Sequence, residues 1–173
     1  MAKNIFVGTQ ACKKIYVGTQ EVKKIFVGTN QVWPNTRPNE TGYWNFTELV
    51  KNFGGNHFYF VIYFAVLEKD YNNNRMRVKY EVGMGSNDGY HISASTNRTG
   101  SGSIDGQNYS WTGNATIPAR GYKMLYRNEG IWINNASGRT ISMSASHPLE
   151  VNVSGVGHIG TVSVSGNVAL PTL

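Results

Sequence analysis

The sequence predicts an all-β protein: an N-terminal antiparallel β-hairpin repeat meander followed by an immunoglobulin-like or jelly-roll-like β-sandwich. Three observations lead there. Charged residues make up only 15% of the chain while Gly alone accounts for 20 of its 173 residues, a balance suited to short strands and turns rather than solvated helices. Residues 3–12 (KNIFVGTQAC), 13–22 (KKIYVGTQEV) and 23–32 (KKIFVGTNQV) write one phrase three times. Beyond residue 42, apolar stretches of strand length recur with Gly, Asn, Asp or Ser at the gaps.

A ten-residue repeat encloses no core, so its units must stack on one another or on other chains. Each unit reads as a strand running into a turn, at Gly8-Thr9-Gln10, Gly18-Thr19-Gln20 and Gly28-Thr29-Asn30, where Gly supplies the backbone freedom a tight hairpin needs. The expected result is a four-stranded meander over residues 1–32. Alternation puts Val22, Lys24 and Phe26 on one face and Lys23, Ile25 and Val27 on the other, so both faces need cover. Another subunit or a host assembly is the simplest cover. Ile5, Phe6, Val7, Ile15, Tyr16, Val17, Ile25, Phe26 and Val27 are therefore the expected assembly interface, with homo-oligomerisation as its consequence. Cys12 stands where the other units carry Val22 and Val32, which marks it as a small apolar side chain rather than a nucleophile.

Residues 33–41, with two prolines among polar residues, read as a linker, and residues 42–173 as the sandwich domain. Tyr43 to Phe53 fits a strand or a short helical turn. The apolar run from His57 to Leu67 reads as a buried strand. Asp70 to Asn74 is a turn, and from Arg75 to Val82 the residues Met76, Val78, Tyr80 and Val82 alternate with charges as in a half-exposed strand. Further strands are expected at 90–95, 107–112, 122–127, 130–134, 140–146, 149–153 and 160–168. Ser101-Gly102-Ser103 reads as part of a flexible Gly/Ser connection.

The net charge is +6, and residues 1–32 carry five Lys against one Glu, leaving a nearly neutral body. Those cations are all Lys locked into an apolar repeat, with no Arg beside aromatics, which argues against nucleic acid. No membrane span is expected: the run from Phe58 to Leu67 is too short, and the N-terminus lacks the pattern of a signal peptide. Synthesis in the cytoplasm follows, and the sequons at Asn39, Asn45, Asn97, Asn108, Asn114, Asn135 and Asn152 then read as by-products of composition.

Candidate chemistry is thin. His57, His91, His147 and His158 lack metal-ligand spacing and read as surface or strand-end residues. Glu81, Asp88, Asp105 and Glu129 are scattered over turn regions, no Ser elbow precedes a helix, and the Gly-rich segments lack the Lys-Ser/Thr of a phosphate loop. The expectation is a protein without catalytic activity, metal or cofactor. Trp44, Trp111 and Trp132, with Tyr90, Tyr109 and Tyr122, are the aromatic residues that could stack on sugar rings.

Two segments carry a resemblance. Residues 131–146 (IWINNASGRTISMSAS) and 160–173 (GTVSVSGNVALPTL) resemble a domain found in minor structural and tail-associated proteins of siphoviruses that infect Gram-positive bacteria. The turn carries Asn134 and Ser137 where the family pattern has His and Asp. The phrase KKIYVG is similar to hairpin repeats of phage tail and baseplate proteins. The resemblance implies a virion location, in tail, baseplate or head decoration, with other virion proteins as partners. The alternative is a carbohydrate-binding module for a bacterial surface polymer.

Overall fold

The computed structural model describes residues 6–7, 10–11, 16–17, 19–22, 25–27, 30–33, 38–93 and 96–173. The chain divides into two units between Asn39 and Glu40. Its described residues contain strands and turns and no helix.

In the first unit, β1 (Phe6–Val7) pairs with β2 (Gln10–Ala11), β3 (Tyr16–Val17) with β4 (Gln20–Glu21), and β5 (Ile25–Val27) with β6 (Asn30–Trp33). The closing pairs are Val7↔Gln10, Val17↔Gln20 and Val27↔Asn30, one register used three times. Among the described residues the expected continuous meander is three two-stranded sheets. The reason is local: each phrase closes its hairpin within itself, and strands of two to four residues leave little edge for the next. Of the expected assembly residues, Ile5 and Ile15 lie outside the described residues, as does Cys12; Phe6, Val7, Tyr16, Ile25, Phe26 and Val27 sit on these strands. Val17 is 74% exposed.

The second unit is an all-β sandwich of two four-stranded antiparallel sheets. Sheet 1 runs in the order β12 (Tyr122–Asn134), β9 (Arg75–Ser86), β8 (Phe58–Asp70), β7 (Glu40–Phe53). Sheet 2 runs β11 (Gln107–Gly113), β10 (Arg98–Ile104), β13 (Thr140–Val153), β14 (Gly157–Ala169). The chain changes sheets from β9 to β10, back from β11 to β12, and again from β12 to β13. Three consecutive strands, β7 to β9, share one sheet, whereas the immunoglobulin order moves its third strand to the opposite sheet.

Alternation explains the core. Phe58, Phe60, Ile62, Phe64 and Val66 of β8 and Met76, Val78, Tyr80, Val82 and Met84 of β9 point inward from sheet 1. They meet Ile104, Trp111, Ile141, Met143, Val162 and Val164 of sheet 2 in one hydrophobic cluster. Each such buried side chain contributes about 1.5–3 kcal/mol before conformational entropy is charged against it.

Turn chemistry fixes the register. Asp70, 2% exposed, accepts hydrogen bonds from the Asn73 amide (3.2 Å), Asn73 Nδ2 (2.8 Å) and Arg75 Nε (2.7 Å), closing the β8–β9 turn. Those donors hold its carboxyl below the usual range, the Asn73 side chain first and Arg75 next. Asp105 (φ 50°) and Gly106 (φ 76°) make the two-residue turn between β10 and β11, both left-handed as a primed hairpin turn demands.

Several expected boundaries move. Within the segment expected as a linker, Trp33 ends β6 and Glu40 opens β7; residues 34–37 lie outside the described residues. Segment 90–95 supplies only the Ile92↔Ile117 bridge, with 94–95 outside the described residues. The expected pairs of strands at 122–134 and 140–153 are single strands, each interrupted by register shifts where the sequence had suggested gaps. Pro148 is tolerated inside β13 because β10 pairs only with residues 143–146, so a single neighbour flanks the strand there.

The segment expected to be a flexible Gly/Ser connection is β10, central in sheet 2. Its glycines make room for large rings. A Cβ on Gly100 would stand 2.5 Å from His147 Nδ1 and 2.6 Å from the Trp111 ring, and one on Gly102 2.2 Å from the Tyr80 hydroxyl.

Candidate functional site: an aromatic face on sheet 1

The outward face of sheet 1 carries rings where a solvated sheet would carry charges. Residues paired across antiparallel strands share a face, so Tyr59, Val61 and Tyr63 of β8 lie with Asn52, Val50 and Glu48 of β7. On the other side they lie with Gly85, Gly83 and Glu81 of β9, and Gly85 and Gly83 pair in turn with Tyr122 and Met124 of β12. Tyr43 (72%), Phe46 (59%), Val50 (50%), Met124 (48%) and Tyr122 (38%) are the exposed large apolar residues of this unit. Clustered exposure of this kind makes the face the candidate site.

The two glycines of β9 explain the geometry. A Cβ on Gly83 would fall 2.1 Å from the Tyr122 hydroxyl, and one on Gly85 2.4 Å from the Tyr59 ring, so both rings lie across the sheet over bare backbone. Tyr122 thereby reaches Tyr63 on a non-adjacent strand, ring centroids 5.9 Å apart and edge-on, and Tyr63 stacks on Phe46 at 6.0 Å. The result is a continuous strip of rings, Phe46–Tyr63–Tyr122, with Tyr59 beside it.

Charges frame the strip. Glu81, 8% exposed, accepts from the Tyr122 hydroxyl at 2.9 Å and faces Lys79 Nζ at 3.0 Å and Arg127 Nε at 3.7 Å. Arg127 Nε also donates to Glu129 at 2.8 Å, so Glu81 and Glu129 converge on one guanidinium rather than on each other. Burial, then the bond to Glu81, raises the Tyr122 phenol well above its ordinary range, and burial raises Tyr63. Both stay neutral at any physiological pH. The strip can offer apolar ring faces to a ligand while Glu129 and Arg127 at the rim, with side chains 39% and 44% exposed, offer a carboxylate and a guanidinium for hydroxyls.

The residues singled out in the sequence fare unequally. Trp111 is 6% exposed, its indole N–H directed at His147 Nδ1 at 3.3 Å and its ring stacked on Tyr126; a core position denies it any ligand face. Trp44 and Trp132 are half-buried, each with a cation over one ring face: Lys69 Nζ 5.2 Å from Trp44 and the Arg75 guanidinium 4.2 Å from Trp132. His147 is not at the surface as expected but fully buried, because β13 carries it inward between Ala145 and Leu149. The acids outside the rim also have partners, Asp88 with His57 at 2.6 Å and Asp105 with Arg139. Among the described residues no group of His, Cys, Asp or Glu is placed to hold a metal ion, and no helix is long and apolar enough to cross a membrane.

Sequence reasoning picked out Tyr122 but missed Tyr43, Phe46, Tyr59 and Tyr63. The signal was the pair Tyr59 and Tyr63, four apart and so on one face of a strand, inside the apolar run, together with Gly83 and Gly85 at the same two-residue period on the following strand. Comparisons of the chain with protein-family models, with curated proteins and with solved structures return no match.

Proposed function

We propose that this chain is a non-enzymatic structural protein of a tailed-phage virion, attached and oligomerised through its N-terminal hairpins, with the sandwich displayed outward. The observation that supports the reading best is the first unit: one phrase closes the same hairpin register three times, in a unit set apart from a sandwich that has its own core. Hairpins of this length gain stability by being completed by neighbours. The resemblance to siphovirus tail-associated domains points the same way, to other virion proteins as partners and the virion as location. In finer detail, eight strands in two sheets of four match the strand count of the jelly-roll-like alternative, while the run β7 to β9 in one sheet departs from its two Greek keys. The test is a swap. Residues 40–173 alone should fold and stay out of particles, whereas residues 1–39 fused to an unrelated carrier should bring it in. Incorporation of the bare sandwich, or exclusion of the fused carrier, overturns the reading.

A second reading is favoured by the aromatic strip: the displayed sandwich recognises a polysaccharide of the bacterial surface. Flat rings with carboxylates at their rim suit the apolar faces and hydroxyl edges of sugars. The two readings are compatible, since a virion protein that displays a sandwich can use one face of it to hold the host.

A further inference from the structure

A second concavity lies elsewhere on the sandwich and shares no lining residue with the aromatic strip. The segment from Asp88 to Ser93, which follows β9, and the end of β13 from Val151 to Ser154 enclose a cleft of about 660 Å³. That volume falls within the ~300–1,000 Å³ typical of small-molecule sites.

Its aromatic wall is held from two sides. The Tyr90 ring packs 3.9 Å from the His57 ring, and a Cβ on Gly155, at the tip of the β13–β14 hairpin, would stand 3.0 Å from the Tyr90 hydroxyl. The polar wall is equally fixed. Asp88 Oδ2 lies 2.6 Å from His57 Nδ1, while Oδ1 accepts the Tyr90 amide at 2.9 Å. The Ser86 hydroxyl is shared between the carbonyls of Asp88 (3.0 Å) and Tyr90 (2.7 Å). A carboxylate oxygen that accepts one hydrogen bond keeps capacity for another, and the Asp88 side chain is 42% exposed. His91, Ser93, Asn152 and Ser154 complete the polar lining, all exposed.

Charge decides the ligand class. Asp88 is the acid of the lining, and it faces His57 and Arg120, whose backbone N–H also bonds the Asp88 carbonyl at 2.8 Å. A free cation would find its attraction already offset. What remains is a ring, a fixed acceptor and an exposed amide lining one cleft, the groups that a small polyhydroxylated molecule uses. We propose that this cleft binds one or two units of a neutral saccharide, packed against Tyr90 with hydroxyls on Asp88 and Asn152. The inference goes beyond the sheet-face reading and does not need it.

The experiment uses the full chain, labelled with ¹⁵N and titrated separately with maltotriose and with triacetylchitotriose. The expected result is saturable shifts of the amides of Gly89–Ser93 and Asn152–Ser154 with at least one of the two sugars. Asn152→Ala, which removes an exposed amide, should weaken that binding about tenfold while leaving the rest of the spectrum in place. Saturable shifts confined to Phe46, Tyr63 and Tyr122 would overturn the cleft and leave the aromatic strip standing. Absence of saturable shifts with both sugars, or a titration unchanged by Asn152→Ala, also overturns it.

Discussion

Replacing Gly102 with Ala tests whether β10 is packed into the core or is a loose connection. The Cβ would lie 2.2 Å from the Tyr80 hydroxyl and 2.7 Å from the Ser144 carbonyl oxygen, the same pair that Tyr80 joins by donating to Ser144 at 2.5 Å. Tyr80 is fully buried, so its ring has nowhere to go without moving sheet 2. Overpacking costs about 1–3 kcal/mol, and leaving the buried hydroxyl unpaired adds about 1–3 kcal/mol. Replacing Gly in a strand returns about 0.5–1 kcal/mol. The net expectation is a loss of about 2–4 kcal/mol, or a melting temperature lower by roughly 6–12 °C in a chain of this size. Urea unfolding of Gly102→Ala, Tyr80→Phe and the double variant reads the coupling directly: removing the hydroxyl relieves the clash, so the double variant should be less destabilised than the sum of the singles by about 1 kcal/mol or more. Gly113→Ala, on the neighbouring β11 with nothing within 4 Å of its Cβ, is the control and should be neutral or slightly stabilising. A silent Gly102→Ala, or strictly additive singles, would refute the packing argument.

His147 should make the sandwich acid-sensitive above the carboxylate range. Burial lowers its pKa from the ordinary 6.5, so below about pH 6.5 the unfolded chain takes the proton first and stability falls, by at most about 1.4 kcal/mol per pH unit until the folded pKa is passed; His147→Phe should flatten urea midpoints between pH 4.5 and 6.5, and an unchanged slope counts against the assignment. Phe46→Ala, at a 59% exposed position, should cost less than about 1 kcal/mol of stability yet reduce retention in affinity electrophoresis on a bacterial cell-wall polysaccharide several-fold, the scale of a lost aromatic stack. Equal retention of variant and parent would remove the strip from recognition.

The hydrophobic code of β8 and β9 was legible because alternation and turn residues agreed there: Asp70 and the asparagines that follow it close the turn, and Met76 to Val82 point inward as read. β10 was illegible to the same rule. Its inward residues include Gly100 and Gly102, which bury no side chain of their own and only make space for Trp111 and Tyr80, so no periodicity in apolar residues exists to find. The Asp105-Gly106 pair was the available signal, a primed turn that implies a strand on each side. The aromatic strip was hidden for the opposite reason. Both faces of β8 are apolar, Val61 and Ala65 being fully buried on the outer face, so the strand reads as uniformly core. Only pairing with Gly83 and Gly85 on the next strand reveals that Tyr59 and Tyr63 face outward. Likewise Trp111 and Trp132 are equivalent in composition, and which one is buried depends on sheet assignment, which no local window contains.

The two outer faces of the sandwich differ in a way that bears on where recognition takes place. Sheet 2 turns outward a field of short hydroxyls, Ser101 and Ser103 of β10 paired with Ser146 and Ser144 of β13, and these with Ser163 and Ser165 of β14. Many of these groups already bond one another: Ser103 with Ser144 at 2.9 Å, Ser163 with Ser146 at 2.9 Å, Thr99 with Thr112 at 3.0 Å. A ligand at that face competes with these internal hydrogen bonds for the hydroxyl protons, and each net hydrogen bond it makes contributes only about 1 kcal/mol. On sheet 1 Phe46 and Tyr122 are exposed and their rings already pack on Tyr63, so a ligand gains ring contact without the cost of ordering the side chains that make it. The polar groups there are likewise set in place before any ligand arrives, Glu81 by Tyr122 and Lys79, Glu129 by Arg127. Preorganised rings beside preorganised acids on one face, against self-satisfied hydroxyls on the other, make sheet 1 the face better suited to recognition.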